Sequence, residues 1–198
     1  MRWQMDIYGE NPDFDFKLGF DMDLVGSGFD SDALLFRHGQ AIPLTLQPLH
    51  FNQRRPNSNY PDLLQGRFIG NMIFSARMRA VIESVAPPTA GLQFIPAVIH
   101  RPDQRPGPAD RFYFNVMDLV DSIIPEKSQV ARQETLGELY AYSSAINATF
   151  TFRDEVVADR HIWVDKYSDT DVFISDEMRA AMMAAGLTGV ETRAVDPK

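Results

Sequence analysis

Residues 173–190 read FISDEMRAAMMAAGLTGV, and residues 73–94 read IFSARMRAVIESVAPPTAGLQF. Each stretch passes from an apolar run into Ser-x-x-Met-Arg-Ala and later through Ala-Gly-Leu. Ser75 and Ser175 stand where a helix would begin, and a serine hydroxyl there can accept a hydrogen bond from a free amide of the first turn. The repeated pattern predicts two similar strand–helix–strand units in one chain.

Apolar spacing predicts which face of each helix is buried. In both stretches apolar residues recur at intervals of three and four, which is typical of one helix face. The shared arginine, Arg79 or Arg179, lies one residue beyond that face and is expected to point away from the core. Prolines end the first helix and Gly186 ends the second. The predicted buried positions are Met78, Val81, Ile82 and Val85 in the first helix and Met178, Ala181, Met182 and Ala185 in the second.

Strand and loop signals fill much of the remaining chain. Residues 2–8 (RWQMDIY) alternate as a strand does. Residues 101–110 (RPDQRPGPAD) contain three prolines and one glycine, which predicts an exposed loop that joins two strands as a hairpin. We therefore expect an α+β fold with a mostly antiparallel sheet, short helices and two similar strand–helix–strand units, built as a single domain over residues 1–198.

The composition excludes several kinds of protein. The chain of 198 residues has no cysteine, so it forms no disulfide, thiolate metal site or cysteine nucleophile. The first residues lack the apolar segment of a signal peptide, and no run approaches the roughly 18 apolar residues of a membrane-spanning helix. We therefore expect a cytoplasmic protein that does not bind a membrane.

Charge is unevenly distributed along the chain, whose net charge is −8. Residues 1–32 and 112–198 are acidic, whereas residues 33–111 are basic and contain nine arginines. The overall acidity argues against a nucleic-acid partner, because phosphates require a basic surface. It permits a basic protein partner, since complementary potentials favour association, although acidic residues also serve solubility alone.

Asp118 and Asp121 are the most suggestive polar pair for catalysis. If the chain is helical here, the two carboxylates share one face and can act as acid and base. The favoured alternative is a turn in which aspartates bond local amides. The histidines add no clear site, because they are far apart and show no ligand spacing. We therefore predict no catalytic residue and no enzyme activity; the four histidines are His38, His50, His100 and His161.

Metal and nucleotide motifs are incomplete. Asp21, Asp23 and Gly26 fit a calcium-binding loop, but Val25 stands where an oxygen ligand is needed and Asp32 replaces the final glutamate. A solvated acidic loop explains these residues better. The GSG at residues 26–28 lacks the third glycine of a dinucleotide-binding motif. We predict no metal and no cofactor.

Several stretches, taken in their order, resemble the eleventh immunity-protein family of bacterial polymorphic toxin systems, formerly a domain of unknown function. They are LLFRHGQAIP, PDLLQGRFIGNMIFSARMRAVIE, GLQFIPAVI leading into FYFNVMDLVD, RHIWVDK and VFISDEMRAAMMAAGLTGV. The resemblance covers residues 33–192. It implies an immunity protein that binds and neutralises a cognate toxin by non-covalent contact, and it brings no catalytic residues with it. The alternatives are a general protein-binding adaptor or an enzyme that uses Asp118 and Asp121.

Residues 1–32 form an acidic N-terminal arm outside that resemblance. The arm alternates aspartates with Phe14, Phe16 and Phe20. Aromatic anchors and charges are typical of binding surfaces, so we expect the arm to contact a basic toxin. The competing interpretation is that the phenylalanines only cover the core. The predicted toxin-binding residues are Asp13, Asp15, Asp21 and Asp23.

Overall fold

The computed structural model describes residues 1–7, 16–18, 38–53, 60–65, 72–86, 91–128, 131–135, 139–143 and 149–195. Within these residues lie thirteen strands and three α-helices. The strands are β1 Arg2–Ile7, β2 Phe16–Leu18, β3 Leu49–Gln53, β4 Leu63–Gln65, β5 Met72–Ser75, β6 Leu92–His100, β7 Arg111–Val116, β8 Leu119–Val120, β9 Ala131–Thr135, β10 Leu139–Ser143, β11 Ile162–Asp165, β12 Ser168–Ser175 and β13 Val190–Ala194. The helices are α1 Ala76–Val85, α2 Asp154–Val157 and α3 Asp176–Ala184, and short 3₁₀ turns span Leu44–Leu46 and Pro125–Lys127.

Two large sheets organise the fold. The five-stranded sheet has the order β13-β1-β12-β11-β8, and the six-stranded sheet has the order β2-β3-β6-β7-β5-β4. β9 and β10 form a separate pair. Pairing is antiparallel except between β3 and β6 and between β8 and β11. The predicted α+β class with largely antiparallel sheet is confirmed, as is the hairpin of β6 and β7 across the proline loop.

Both predicted strand–helix–strand units are present, and they share one topology. The first unit is β5–α1–β6, with β7 lying between its two strands in the sheet. The second unit is β12–α3–β13, with β1 lying between its strands. Because each inserted strand runs antiparallel to both neighbours, β5 is parallel to β6 and β12 is parallel to β13. The flanking strands β4 and β11 also occupy equivalent places.

The register of the inserted strands also matches. Ser75 pairs with Arg111, and Ser175 pairs with Arg2. One position further along, the aromatic residues Phe112 and Trp3 correspond. The strand that directly follows the first unit therefore has its counterpart at the start of the chain. When the inserted strand is counted with each unit, the chain order is β5–α1–β6–β7 in the first unit and β1–β12–α3–β13 in the second. The two units therefore differ by a circular permutation.

Helix caps explain why both helices begin after serine. Ser75 Oγ accepts a hydrogen bond from Met78 N, and Ser175 Oγ accepts one from Met178 N, each at 3.1 Å. Both methionine side chains are fully buried. The predicted helical register is therefore confirmed, although only the methionines and Ile82 are buried among the predicted positions. The other four predicted positions are half-buried at the edge of the same helix face: Val81, Val85, Ala181 and Ala185.

The prediction that the shared arginines point away from the core is wrong. The Arg79 guanidinium lies 4.7 Å from the Phe112 ring centroid, and the Arg179 guanidinium lies 3.9 Å from the Trp3 ring centroid. Arg179 Nε also donates to Thr192 Oγ1 at 2.9 Å. Each helix lies across its sheet, so a residue at the helix flank rests on the inserted strand. A cation over an aromatic face is attracted to it.

The hydrophobic core has a shared centre and two outer layers. The centre joins the inner faces of both large sheets with α1 and α3, and it includes Phe74, Phe114, Met178 and Ile174. A second cluster covers the outer face of the six-stranded sheet around Phe51 and Tyr113. The third covers the outer face of the five-stranded sheet around Trp163, Phe150, Phe152 and Phe173.

Asp62 joins the two units. Its Oδ1 accepts from Ser75 Oγ at 2.7 Å, and its Oδ2 accepts from Thr188 N at 2.9 Å and Thr188 Oγ1 at 3.0 Å. Arg77 lies 3.5 Å from the same carboxylate and donates to carbonyls at the end of α3. Partial burial raises the pKa of Asp62, but the hydrogen bonds from Ser75 and Thr188 and the charge of Arg77 outweigh it and hold this pKa below its usual value.

Candidate interaction surface

The four predicted toxin-binding aspartates, Asp13, Asp15, Asp21 and Asp23, lie outside the described residues. Residues 2–7, at the start of the predicted arm, are β1, which lies between β12 and β13. The N-terminal ammonium group of Met1 donates to Asp176 Oδ2 at 2.7 Å. The start of the chain is thus part of the five-stranded sheet.

Asp118 and Asp121 do not form a paired-carboxylate site. They flank the extended strand β8, and residues three apart in an extended chain project to opposite sides. Asp121 accepts from Arg153 Nη1 at 2.9 Å and from Lys166 Nζ at 2.5 Å on the surface. Asp118 instead lies beside Gly91, where an added Cβ would come within 2.5 Å of its Oδ2. The geometry gives no support to the acid–base alternative.

His161, Ser175 and Glu177 have the residue types of a nucleophile relay but not its geometry. His161 Nδ1 lies 3.2 Å from Ser175 Oγ and 3.6 Å from Glu177 Oε2. A relay needs the hydroxyl and the carboxylate on different ring nitrogens. Here both face the same nitrogen, and the hydroxyl already caps α3. His161 and Glu177 occupy the positions that Asp62 and Arg77 occupy in the first unit, so the cluster is a structural counterpart of Asp62, Ser75 and Arg77.

The other histidines have structural contacts. His38 is buried, and its Nδ1 accepts from Val116 N at 3.0 Å. His50 Nδ1 and His100 Nε2 are 2.7 Å apart, while the ring centroids are 5.0 Å apart and the planes differ by 15°. These values describe nearly coplanar rings whose nitrogens point at each other through one N–H···N hydrogen bond. A metal ion cannot lie between them, because each metal–nitrogen bond needs about 2 Å.

Among the described residues, no three side chains of histidine, aspartate or glutamate converge as metal ligands. In the same parts of the chain, none of the helices has the length and apolar character that a membrane span requires.

Exposed acids concentrate around the five-stranded sheet. That half of the protein exposes nine described carboxylates, whereas the half with the six-stranded sheet exposes three. Among the described residues, the first group is therefore the larger set of exposed acids. Its members are Asp118, Asp121, Glu126, Asp154, Glu155, Asp159, Asp176, Glu177 and Glu191; the three on the other half are Glu83, Asp103 and Asp110.

Comparison with known protein families identifies the chain. A model of an immunity protein family, Imm11, matches residues 23–196. The chain belongs to the Imm11 family. This confirms the family resemblance, and the match begins ten residues before the predicted start at residue 33. No curated protein matches the chain.

The Imm11 match contains both strand–helix–strand units but not β1. The structure nevertheless places β1 inside the five-stranded sheet, where it completes the second unit. Of the four predicted binding aspartates, Asp23 lies within the matched residues, whereas Asp13, Asp15 and Asp21 precede them.

Two neighbouring structural features of this Imm11 protein were not predicted from its sequence. β13 forms an edge of the five-stranded sheet, and Met183 on the adjacent helix α3 has 63% of its surface exposed. The exposure of Met183 could not be predicted, because the apolar spacing of α3 predicts burial at Met178 and Met182 but gives no environment for the residue next to them. The strand ends the chain's second unit, but its edge position depends on sheet pairing that sequence does not specify.

Proposed function

We propose that this protein is an immunity protein that neutralises a cognate bacterial toxin in the cytoplasm through non-covalent binding. The Imm11 match over most of the chain carries the proposal. The separation of Asp118 from Asp121 and the structural contacts of the histidines support binding rather than catalysis. A general protein-binding adaptor is the main alternative.

The direct test pairs the protein with a candidate toxin domain chosen from the genes next to its own. Cells that express the toxin should survive when this protein is co-expressed, and the two purified proteins should form a complex. Binding without protection would favour the adaptor alternative. Protection without any complex would contradict neutralisation by contact.

Single substitutions separate binding from catalysis. Alanine in place of Asp118, Asp121 or His161 should leave protection intact, since no catalytic group is removed. Each variant should first be compared with wild type by thermal unfolding, because loss of folding would also abolish protection. A folded variant that binds toxin normally but no longer protects would identify an enzyme.

We propose that the toxin binds through a basic surface and that this surface contacts the acidic N-terminal arm, residues 1–32. Replacing Asp13, Asp15, Asp21 and Asp23 with asparagine should slow association with the toxin and flatten its dependence on salt, since screening acts on exposed charges over about 8–10 Å. A matched control removes four exposed charges elsewhere, with Asp118 and Asp159 changed to Asn and Glu126 and Glu155 changed to Gln. Equal slowing in both variants would indicate a general charge effect and reject the arm as the contact.

A further inference from the structure

β13 is an edge strand, and the backbone groups on its outer side form no hydrogen bonds with any other described strand. Val195 N donates to Arg2 O at 3.1 Å, and the antiparallel register pairs Gln4 with Arg193 in the same hydrogen-bonding phase. The alternate residues Val190, Thr192 and Ala194 therefore direct their N–H and C=O groups outward. No described strand pairs with that side of β13. Such a row is a template for an added strand.

The equivalent edge in the other sheet is protected. The counterpart of β13 is β6, and β3 pairs with β6 from Ala97 to His100. The residue of β6 that corresponds to Ala194 is Pro96, which has no N–H to present. Beside the earlier part of β6, the Gln93 side-chain amide exchanges two hydrogen bonds with the backbone of Ile42, at 2.8 and 2.9 Å. Among the described strands, the fold thus closes this edge in the first unit and leaves it open in the second.

An apolar strip lies beside the open edge. Arg179 reaches Thr192, so this flank of α3 faces β13. Met183 is four residues later and therefore lies on the same flank, one turn closer to Val190. Its counterpart in α1 is Glu83, which pairs with Arg79 at 2.8 Å. The first unit carries a charged residue where the second exposes a methionine, a side chain that adapts to varied partners.

We propose that β13 receives an extended segment of the cognate toxin, which adds a strand to the five-stranded sheet and places apolar side chains against Met183 and Val190. This rests on the proposed immunity function and names a second toxin contact beside the proposed acidic arm. Backbone pairing supplies affinity in this mode of recognition, and alternate side-chain contacts supply specificity. On the opposite sheet face, exposed Glu191 favours a basic side chain in the added segment.

Two substitutions convert the open edge to the form found in the first unit. Ala194→Pro removes an outward N–H without removing a bond to β1, and Met183→Glu places a glutamate four residues after Arg179. The combined variant should keep the wild-type melting temperature and bind the purified toxin domain about tenfold more weakly or worse, as expected for a lost hydrogen bond and apolar contact. The matched control Glu83→Met makes the reverse change on α1 and should leave toxin affinity unchanged.

Hydrogen exchange on the unmodified protein gives a second test that does not depend on variants. The amides of Val190, Thr192 and Ala194 should exchange rapidly in the free protein and slowly in the toxin complex. Amides already protected in the free monomer, or unchanged in the complex, would overturn the proposal, as would a folded double variant with wild-type affinity. Self-association through β13 would assign the edge to a second copy and also overturn it. If wild type binds no toxin at all, the immunity function itself fails.

Discussion

Replacing Asp62 with asparagine should weaken the joint between the two strand–helix–strand units. The Asp62 carboxylate accepts three hydrogen bonds, two of them from Thr188 of the second unit, and lies 3.5 Å from Arg77. Asparagine can still accept from Ser75. When Oδ1 keeps that bond, Nδ2 replaces the oxygen that faces Thr188, and this nitrogen cannot accept a hydrogen bond, so its N–H meets the backbone N–H of Thr188.

The expected magnitude follows from these contacts. A hydrogen bond to a charged group contributes about 1.5–3 kcal/mol, and bonds that share one carboxylate are not additive. We expect Asp62→Asn to lower the free energy of unfolding by about 2–4 kcal/mol, a large part of the roughly 5–15 kcal/mol of a typical domain. Urea unfolding followed by tryptophan fluorescence measures this loss.

The stability that the Asp62 carboxylate contributes should decrease as the pH is lowered. The pKa of Asp62 is lower in the folded protein than in the unfolded chain. Its contribution to stability is therefore complete above the unfolded pKa of about 3.9 and is lost as the pH falls through the lower folded value. The difference between wild type and Asp62→Asn should be full at neutral pH and should shrink below about pH 4.

Asp103→Asn is the matched control. Hydrogen bonding from Arg101 lowers the pKa of Asp103 to about 2, but both residues lie in the proline loop and join no two units. This variant should unfold at the wild-type urea midpoint. An unchanged midpoint for Asp62→Asn, or a stability difference that is equal at pH 7 and pH 3, would refute the role assigned to Asp62.

Three further substitutions test the packing and one buried carboxylate. Met178→Ala should cost about 3 kcal/mol because it empties a fully buried site, whereas Arg179→Ala should cost about 1 kcal/mol through loss of its contact with Trp3; equal losses by urea unfolding would reject this helix orientation. Asp165→Asn should cost about 3 kcal/mol, because this buried carboxylate accepts from Ser122 N, Ser122 Oγ, Ile123 N and Tyr167 N; a midpoint shift no larger than that of Asp103→Asn would contradict its structural role.

Local signals in the sequence determined the helices of both units. A serine cap and the spacing of Met78 and Met178 act within one or two turns, so they can be read from neighbouring residues. The same signals determined that the units are alike. The family resemblance likewise came from the order of local segments, and it was confirmed over residues 23–196.

Only the tertiary structure decided how these segments pair. Strand pairing joins residues far apart in sequence, so nothing near residue 2 indicates that β1 enters the sheet between β12 and β13. The contacts of Arg79 and Arg179 with aromatic rings depend on that placement, which is why the sequence predicted their direction wrongly. The open edge of β13 has the same origin, because an edge exists only by reference to the strands that do or do not lie beside it.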